Sequence, residues 1–213
     1  IFTITESSLD EKVIWVGTDD GNVQVTQDGG KTWSNTTANI SGLPKNTWCY
    51  HIEASVFDKG TAYAVFDGHT QNDQNPYAYK TTDFGKTWTN IISEGVEGFA
   101  RNIQEDYVNP DLLFLGTEFG LYITMDGGKN WKDITPKELP KYSRISIIDE
   151  SKHNPGTLYL AANRYQVDDR EPYVFKTTDY GKTWTKIITG IAPGHFARAI
   201  REDHIRPGLL FLA

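Results

Sequence analysis

Four carboxylates recur in one short string. It reads "TQDGGKTW" at Thr26–Trp33, "TTDFGKTW" at Thr81–Trp88, "TMDGGKNW" at Thr124–Trp131 and "TTDYGKTW" at Thr177–Trp184. Asp28, Asp83, Asp126 and Asp179 could be four ligands awaiting a metal or a substrate. Each copy holds a single acid, however, and lacks the Asp-x-Asp-x-Asp spacing of a calcium loop. A short carboxylate at the head of a turn also accepts hydrogen bonds from the backbone N–H groups that follow it. Gly30, Gly85, Gly128 and Gly181 supply the left-handed backbone such a turn needs. Trp33, Trp88, Trp131 and Trp184 then open the next strand and offer large apolar area for burial between neighbouring units. The string therefore reads as a structural joint. The histidines at 51, 69, 153, 195 and 204 show no ligand spacing, so no metal is expected. Without a phosphate loop or a Gly-x-Ser-x-Gly string, no cofactor is expected either.

A second set of chemistry-bearing residues lies in two longer connections, Asp67–Pro76 and Asn163–Pro172. They hold His69, Asn72 and Asp73 in one, and Arg164, Tyr165, Asp168, Asp169 and Arg170 in the other. These are the candidate ligand-binding residues, since loops carried by a rigid scaffold are where binding groups concentrate. Glycoside hydrolysis would need two carboxylates facing each other across a cleft, for which Asp67, Asp73, Asp168 and Asp169 are available. No catalytic residue can be assigned among them from sequence. Arg101 and Arg198 stand in a repeated "FAR", each followed by an acid pair, Glu105-Asp106 and Glu202-Asp203. The expectation is an Arg–carboxylate pair or an aromatic stack, repeated because the unit is repeated.

The elements that position these groups are themselves repeated. "FARNIQEDYVNPDLLFLG" (Phe99–Gly116) answers "FARAIREDHIRPGLLFLA" (Phe196–Ala213), and "DGHTQNDQNPY" matches "NRYQVDDREPY" in length. Each unit reads as four short strands rich in β-branched and aromatic residues, punctuated by Gly, Pro, Asn and Asp. In the last full unit these are "RISIID", "TLYLAA", "YVFKTT" and "WTKIIT". "FARAIRED" has a helical alternative, Phe196 and Ile200 being one turn apart, but its counterparts "WCYHIEA" and "RISIIDE" favour a strand. Four-stranded units at this period are propeller blades. The expected units are 1–40, 47–95, 98–137, 142–191 and a half unit, 195–213. The last stops after two strands, so the segment is expected to be an arc of a larger propeller, of roughly six or more blades.

Composition bounds the function. The chain has 213 residues, a net charge of −7 and one cysteine, Cys49. The acidic balance recommends no nucleic acid, no apolar run reaches membrane-spanning length, and no disulfide framework can form.

The four strings resemble the Asp-box, or bacterial neuraminidase repeat, which lies between the third and fourth strands of propeller blades. Families carrying it include sialidases, xyloglucan-degrading endoglucanases, photosystem II assembly factors and sortilin-type receptors. The text "YLAANRYQVDDREPYVFKTTDYGKTWTKI" (Tyr159–Ile187) is similar to secreted bacterial repeat proteins called sortilin-like or glycosyl hydrolases. The resemblance implies an all-β propeller of four-stranded antiparallel blades, with ligands on the face opposite the Asp-boxes. It leaves two functions open. One is a non-catalytic module of a larger secreted, periplasmic or cell-surface protein that binds a peptide, a glycan or a protein. The other is a carbohydrate-active enzyme, or part of one, of the xyloglucanase or sialidase type. The sialidase pattern also requires an Arg-Ile-Pro entry motif, which the chain lacks. In either case the partner that completes the propeller is the remainder of a longer chain or another subunit.

Overall fold

A computed structural model describes residues 1–213. Successive strands pair antiparallel into separate four-stranded sheets. The first blade holds β1 (Thr3–Ser7), β2 (Asp10–Gly17), β3 (Val23–Thr26) and β4 (Ser34–Asn35). The second holds β5 (Trp48–Ala54), β6 (Ala62–Asp67), β7 (Tyr77–Thr81) and β8 (Thr89–Asn90). The third holds β9 (Ala100–Glu105), β10 (Leu113–Thr117), β11 (Leu121–Thr124) and β12 (Lys132–Asp133). The fourth holds β13 (Arg144–Glu150), β14 (Leu158–Arg164), β15 (Asp169–Thr177) and β16 (Thr185–Lys186). A two-stranded sheet of β17 (Ile200–Glu202) and β18 (Leu210–Leu212) follows. The "FAR" segments thus lead into strands, not helices. The outermost strands are shorter than expected, two residues each. The Asp-box tryptophan precedes each of them instead of lying within it.

The first strands of neighbouring blades pack on one another, β1 on β5, β5 on β9, β9 on β13 and β13 on β17. The ring stays open, because β1 packs chiefly on β2 and β5, and β17 on β13, β14 and β18. The chain is an arc of a propeller. The middle strands β6, β10 and β14 are buried almost throughout, since each has a blade on either side. The apolar clusters accordingly lie between blades. One joins Trp15 and Val25 to Ile52, Phe66 and Trp88, and the next joins Tyr63 and Val65 to Ile103, Leu113 and Leu115.

The Asp-box is one turn built four times. In the first copy Thr26 Oγ1 donates to Asp28 Oδ1 at 2.8 Å and accepts from Gly30 N at 2.9 Å. Asp28 also accepts from Thr32 N at 2.9 Å and from Thr32 Oγ1 at 2.6 Å. The same four bonds recur around Asp83, Asp126 and Asp179, with Asn130 Nδ2 replacing the second threonine hydroxyl at 2.7 Å. These carboxylates are fully spent on their own turns, as a structural joint requires. Hydrogen bonds from the Thr32, Asn130 and Thr183 side chains are the chief reason that Asp28, Asp126 and Asp179 are held down at about 2.

One expectation is corrected here. The tryptophans were to be buried between units, but Trp33 is 41% exposed while Trp88 is 8% exposed. The second, third and fourth Asp-boxes each pack on the blade before them. Trp88 meets Trp15 edge-on, Trp131 Nε1 donates to Ile91 O at 2.6 Å, and Trp184 Nε1 donates to Ile134 O at 2.8 Å. Trp33 belongs to the first blade, has no such neighbour in this chain, and turns its Nε1 onto Gly30 O at 3.2 Å within its own turn.

Candidate functional site

The first strand of each blade descends toward the Asp-box end, so the β6–β7 and β14–β15 connections rise at the opposite, top face. There the inner strands carry an irregularity that sets the site. β5, β9 and β13 each have a bulge near the top, with Tyr50, Arg101 and Ser146 as the extra residue. A bulge leaves one residue outside the ladder and re-aims its side chain. In the third blade that residue is Arg101, and it is only 3% exposed.

A buried guanidinium needs compensating charge. Arg101 finds it in two blades. Its Nη1 lies 2.7 Å from Oδ2 of Asp67, at the end of β6, and its Nη2 donates to Oε2 of Glu118, just after β10, at 3.3 Å. The guanidinium also lies over the rings of Tyr50 at 4.6 Å and Phe99 at 5.4 Å. Glu118 passes the chain of charges onward. It accepts from Arg144 Nε at 3.0 Å and Nη2 at 3.4 Å, and from Gln166 Nε2 at 3.3 Å. Arg144 Nη1 donates in turn to the Tyr165 hydroxyl at 3.0 Å. Burial works against the Arg144 charge, yet the Glu118 carboxylate outweighs it and raises the guanidinium's pKa. Asp67–Arg101–Glu118–Arg144–Tyr165 is thus one continuous line across three blades.

Aromatic rings flank that line. His69 meets Trp48 edge-on at 5.1 Å and lies 5.9 Å from Phe99, while its Nδ1 is 2.8 Å from Asp67 Oδ2. Phe119 and Tyr142 form a second edge-on pair at 5.8 Å. Tyr165 stacks on Phe196 at 5.6 Å and carries the Arg198 guanidinium at 5.9 Å. Tyr142 and Tyr165 are 63% and 41% exposed, so the row presents ring surface to solvent.

The candidate residues read from the sequence divide on this geometry. His69, Tyr165 and the acid Asp67 join the charged line. Asp73 accepts from Asn75 N at 3.0 Å and from the Tyr77 hydroxyl at 2.7 Å. Asp169 does the same with Glu171 N at 3.0 Å and Tyr173 at 2.8 Å, and pairs with Arg164 at 2.5 Å. These groups shape the loops that hold them. Asn72 and Asp168 take left-handed backbone at φ 57° and φ 59°, which closes each connecting turn. Asp168 and Arg170 stand in solvent, 4.0 Å apart. The second connection is also shorter than expected, since Asp169–Pro172 already belongs to β15.

The two "FAR" arginines do not pair with the acids that follow them. Glu105 instead accepts from Ser55 Oγ, Val56 N and Tyr63 OH of the preceding blade, at the Asp-box end. Arg198 is exposed and takes only the aromatic half of the expectation. Sequence reasoning missed Glu118, Arg144, Trp48, Tyr50 and Gln166. A signal existed for some of them: Trp48 and Arg144 fill the repeat position that Phe99 and Phe196 fill, at the head of the inner strand.

A separate groove of about 840 Å³ opens between the third and fourth blades at the outer rim, lined by Trp131, Ile134, Tyr180 and Trp184 among others. It lies where the blades fan apart, away from the charged line.

Two family matches bear on the chain. The BNR/Asp-box repeat matches residues 24–35, and Sortilin-Vps10, described as "Sortilin, neurotensin receptor 3", matches residues 77–206. An oligoxyloglucan-reducing end-specific xyloglucanase from Emericella nidulans is 28% identical over 178 residues, covering 78% of this chain and 21% of that protein. A sialidase from Bacteroides fragilis is 26% identical, covering 75% of this chain and 36% of that protein. This chain therefore spans about a fifth to a third of these relatives' length. Among solved structures, an ancestral GH74 enzyme superposes with a TM-score of 0.77 at 15% identity, over 97% of this chain and 28% of that one. YCF48 from Cyanidioschyzon merolae gives 0.63 at 19% identity, over 93% of this chain and 58% of that one. These structural likenesses support the propeller fold. No helix is long and apolar enough to cross a membrane. With its matched segment extending over more than half of the sequence, the chain belongs to the Sortilin-Vps10 family of Asp-box proteins.

Proposed function

We propose that this chain is part of a carbohydrate-active propeller of the glycoside-hydrolase type, and that its top face forms a wall of the glycan-binding cleft. The observation that carries this reading is the row of rings, Trp48, Tyr50, Phe99, Tyr142 and Tyr165, set along a fixed line of guanidinium and carboxylate groups. Sugar rings offer an apolar face and a rim of hydroxyls. Aromatic faces take the first and charged groups take the second. The xyloglucanase and sialidase relatives support the same class of ligand.

Hydrolysis needs two carboxylates across the scissile bond. Asp67 and Glu118 are committed to arginines, and Asp73 and Asp169 to their loops, so their role is positioning. Asp168 alone of the candidate carboxylates stands free in solvent, so at least one acid of the hydrolytic pair is supplied by blades beyond this arc. A protein outside the cytoplasm, secreted, periplasmic or at the cell surface, fits a polysaccharide ligand.

The test is to incubate the full-length protein with xyloglucan oligosaccharides and follow both hydrolysis and calorimetric binding. Trp48→Ala and Tyr165→Ala are expected to weaken binding about tenfold, or about 1.4 kcal/mol, with melting temperature little changed for the half-exposed Tyr165. The Sortilin-Vps10 match favours a second reading, a non-catalytic module that binds peptide or protein. Binding of peptides with no glycan bound or cleaved would establish that reading and overturn the first.

A further inference from the structure

The Asp-box ends of the inner strands meet at three comparable joints, and one differs from the other two. Between the second and third blades, Glu105 accepts hydroxyl hydrogens from Ser55 at 3.0 Å and Tyr63 at 2.8 Å. Between the fourth and fifth, Glu202 Oε1 accepts from the Tyr159 hydroxyl at 3.1 Å and from Gly208 N at 2.8 Å, with Ser151 beside it. In both joints the carboxylate accepts from a tyrosine hydroxyl of the blade before, and a serine stands at the same register position beside it.

Between the third and fourth blades the carboxylate is present as Glu150, but both hydroxyls are gone. Register alignment places Asp106 where Ser55 and Ser151 stand, and Phe114 where Tyr63 and Tyr159 stand. Glu150 keeps one backbone donor, Tyr107 N at 3.2 Å. Asp106 Oδ1 accepts from Val108 N at 2.8 Å and Asn109 N at 2.7 Å, whereas its Oδ2 is buried with no donor at all. The two residues are 1% and 3% exposed. Two facing acceptors, both nearly buried, are satisfied directly by a proton between them.

We propose that Asp106 and Glu150 share one proton across the joint between the third and fourth blades, making it a pH-sensitive lock that loosens as pH rises. The surroundings offer little rescue to a doubly ionised pair. Arg201 is engaged by Asp149 at 3.1 Å, Lys152 lies over the Tyr107 ring at 5.2 Å, and Glu53 and Tyr180 add further acid groups. Glu202, Asp203 and His204 line the same pocket as Glu150 from the fifth blade. Burial first, and then the hydrogen bond to Asp106 and its charge, drive the Glu150 carboxyl well above the usual range. For an acid raised in the folded state, the stabilisation is complete below its unfolded pKa. It is lost as pH climbs from that value through the folded one.

The test compares the full chain with Asp106→Ser, which rebuilds the hydroxyl joint found on either side, and with Glu150→Gln. In the latter an amide N–H takes the place of the shared proton while the amide oxygen still accepts from Tyr107. The wild-type melting temperature should fall between about pH 5 and about pH 9, and each variant should cut that fall by about half. All three proteins are compared in a Glu53→Gln background, because the Glu53 charge acts on Glu150 and its own carboxyl is raised to about 8, so that the difference isolates the pair. Infrared difference spectra at neutral pH supply a second readout that needs no unfolding. The wild type should show the carbonyl band of a protonated carboxylic acid that Glu150→Gln lacks. Parallel melting curves against pH, or identical carboxylic-acid bands, would overturn the proposal.

Discussion

The first and fourth Asp-boxes have nearly the same sequence and the same internal hydrogen bonds, but different surroundings. A Cβ placed on Gly181 would lie 2.6 Å from Ile134 of the preceding blade, while one on Gly30 would meet nothing nearer than Trp33 at 3.8 Å. Trp184 is half-buried and bonded to that same blade, whereas Trp33 is exposed. The string therefore specifies the turn, and the neighbouring blade supplies the burial. Four copies of one motif are one local structure in two environments.

The largest separation between the two environments is expected at the glycines. Both sit at positive φ, 88° for Gly30 and 78° for Gly181, so alanine costs about 1–2 kcal/mol at either. Gly181→Ala adds overpacking against Ile134, about 1–3 kcal/mol more. Chemical denaturation of the two variants should show Gly181→Ala clearly the worse, and equal losses would mean that the blade joint is soft.

Tryptophan removal comes next. Trp184→Ala is expected to destabilise by about 3 kcal/mol and Trp33→Ala by about 1 kcal/mol or less, read from the same denaturation curves. A large loss at Trp33 would show that its ring is covered in the full protein, which would sharpen the comparison by locating the next blade.

The smallest effect is the one the two regions should share. Asp28 and Asp179 are both held at about 2, chiefly by the Thr32 and Thr183 side chains. An acid lowered in the folded state contributes stability above its unfolded pKa and loses it as pH falls toward the folded value. Asp28→Asn and Asp179→Asn should therefore flatten the acid limb of stability between about pH 4 and about pH 2, and by similar amounts. Unequal flattening would show that the turn is not autonomous.

Much of the fold was legible because it is local and repeated. Alternating apolar residues gave the strands, and the recurring Thr, Asp, Gly and Trp gave the turns. Two features of the Asp-box were not. Phe84 and Tyr180 hold left-handed backbone at φ 58° each, at the position where the other copies have glycine. The strain is offset by ring contacts with Gly60 and Gly156. Those contacts join residues far apart in the chain, and no local pattern announces them. The top-face site was legible only in part for the same reason. His69 and Tyr165 stood out as polar and aromatic groups in long connections. Glu118 and Arg144 sit in short, ordinary-looking segments and gain meaning only when three blades bring them to Arg101. The bulge that re-aims Arg101 has no sequence mark of its own.

The central claim is that the top face, not the outer groove or the Asp-box end, meets the glycan. Hydrogen-exchange footprinting of the full-length protein with and without a xyloglucan oligosaccharide tests it most directly. The result predicted is slowed exchange in the segments carrying Trp48, His69, Phe119 and Tyr165, with the segments around Asp126 and Asp179 unchanged. Protection confined to the Asp-box segments around Trp131 and Trp184, or none anywhere in the arc, would contradict it.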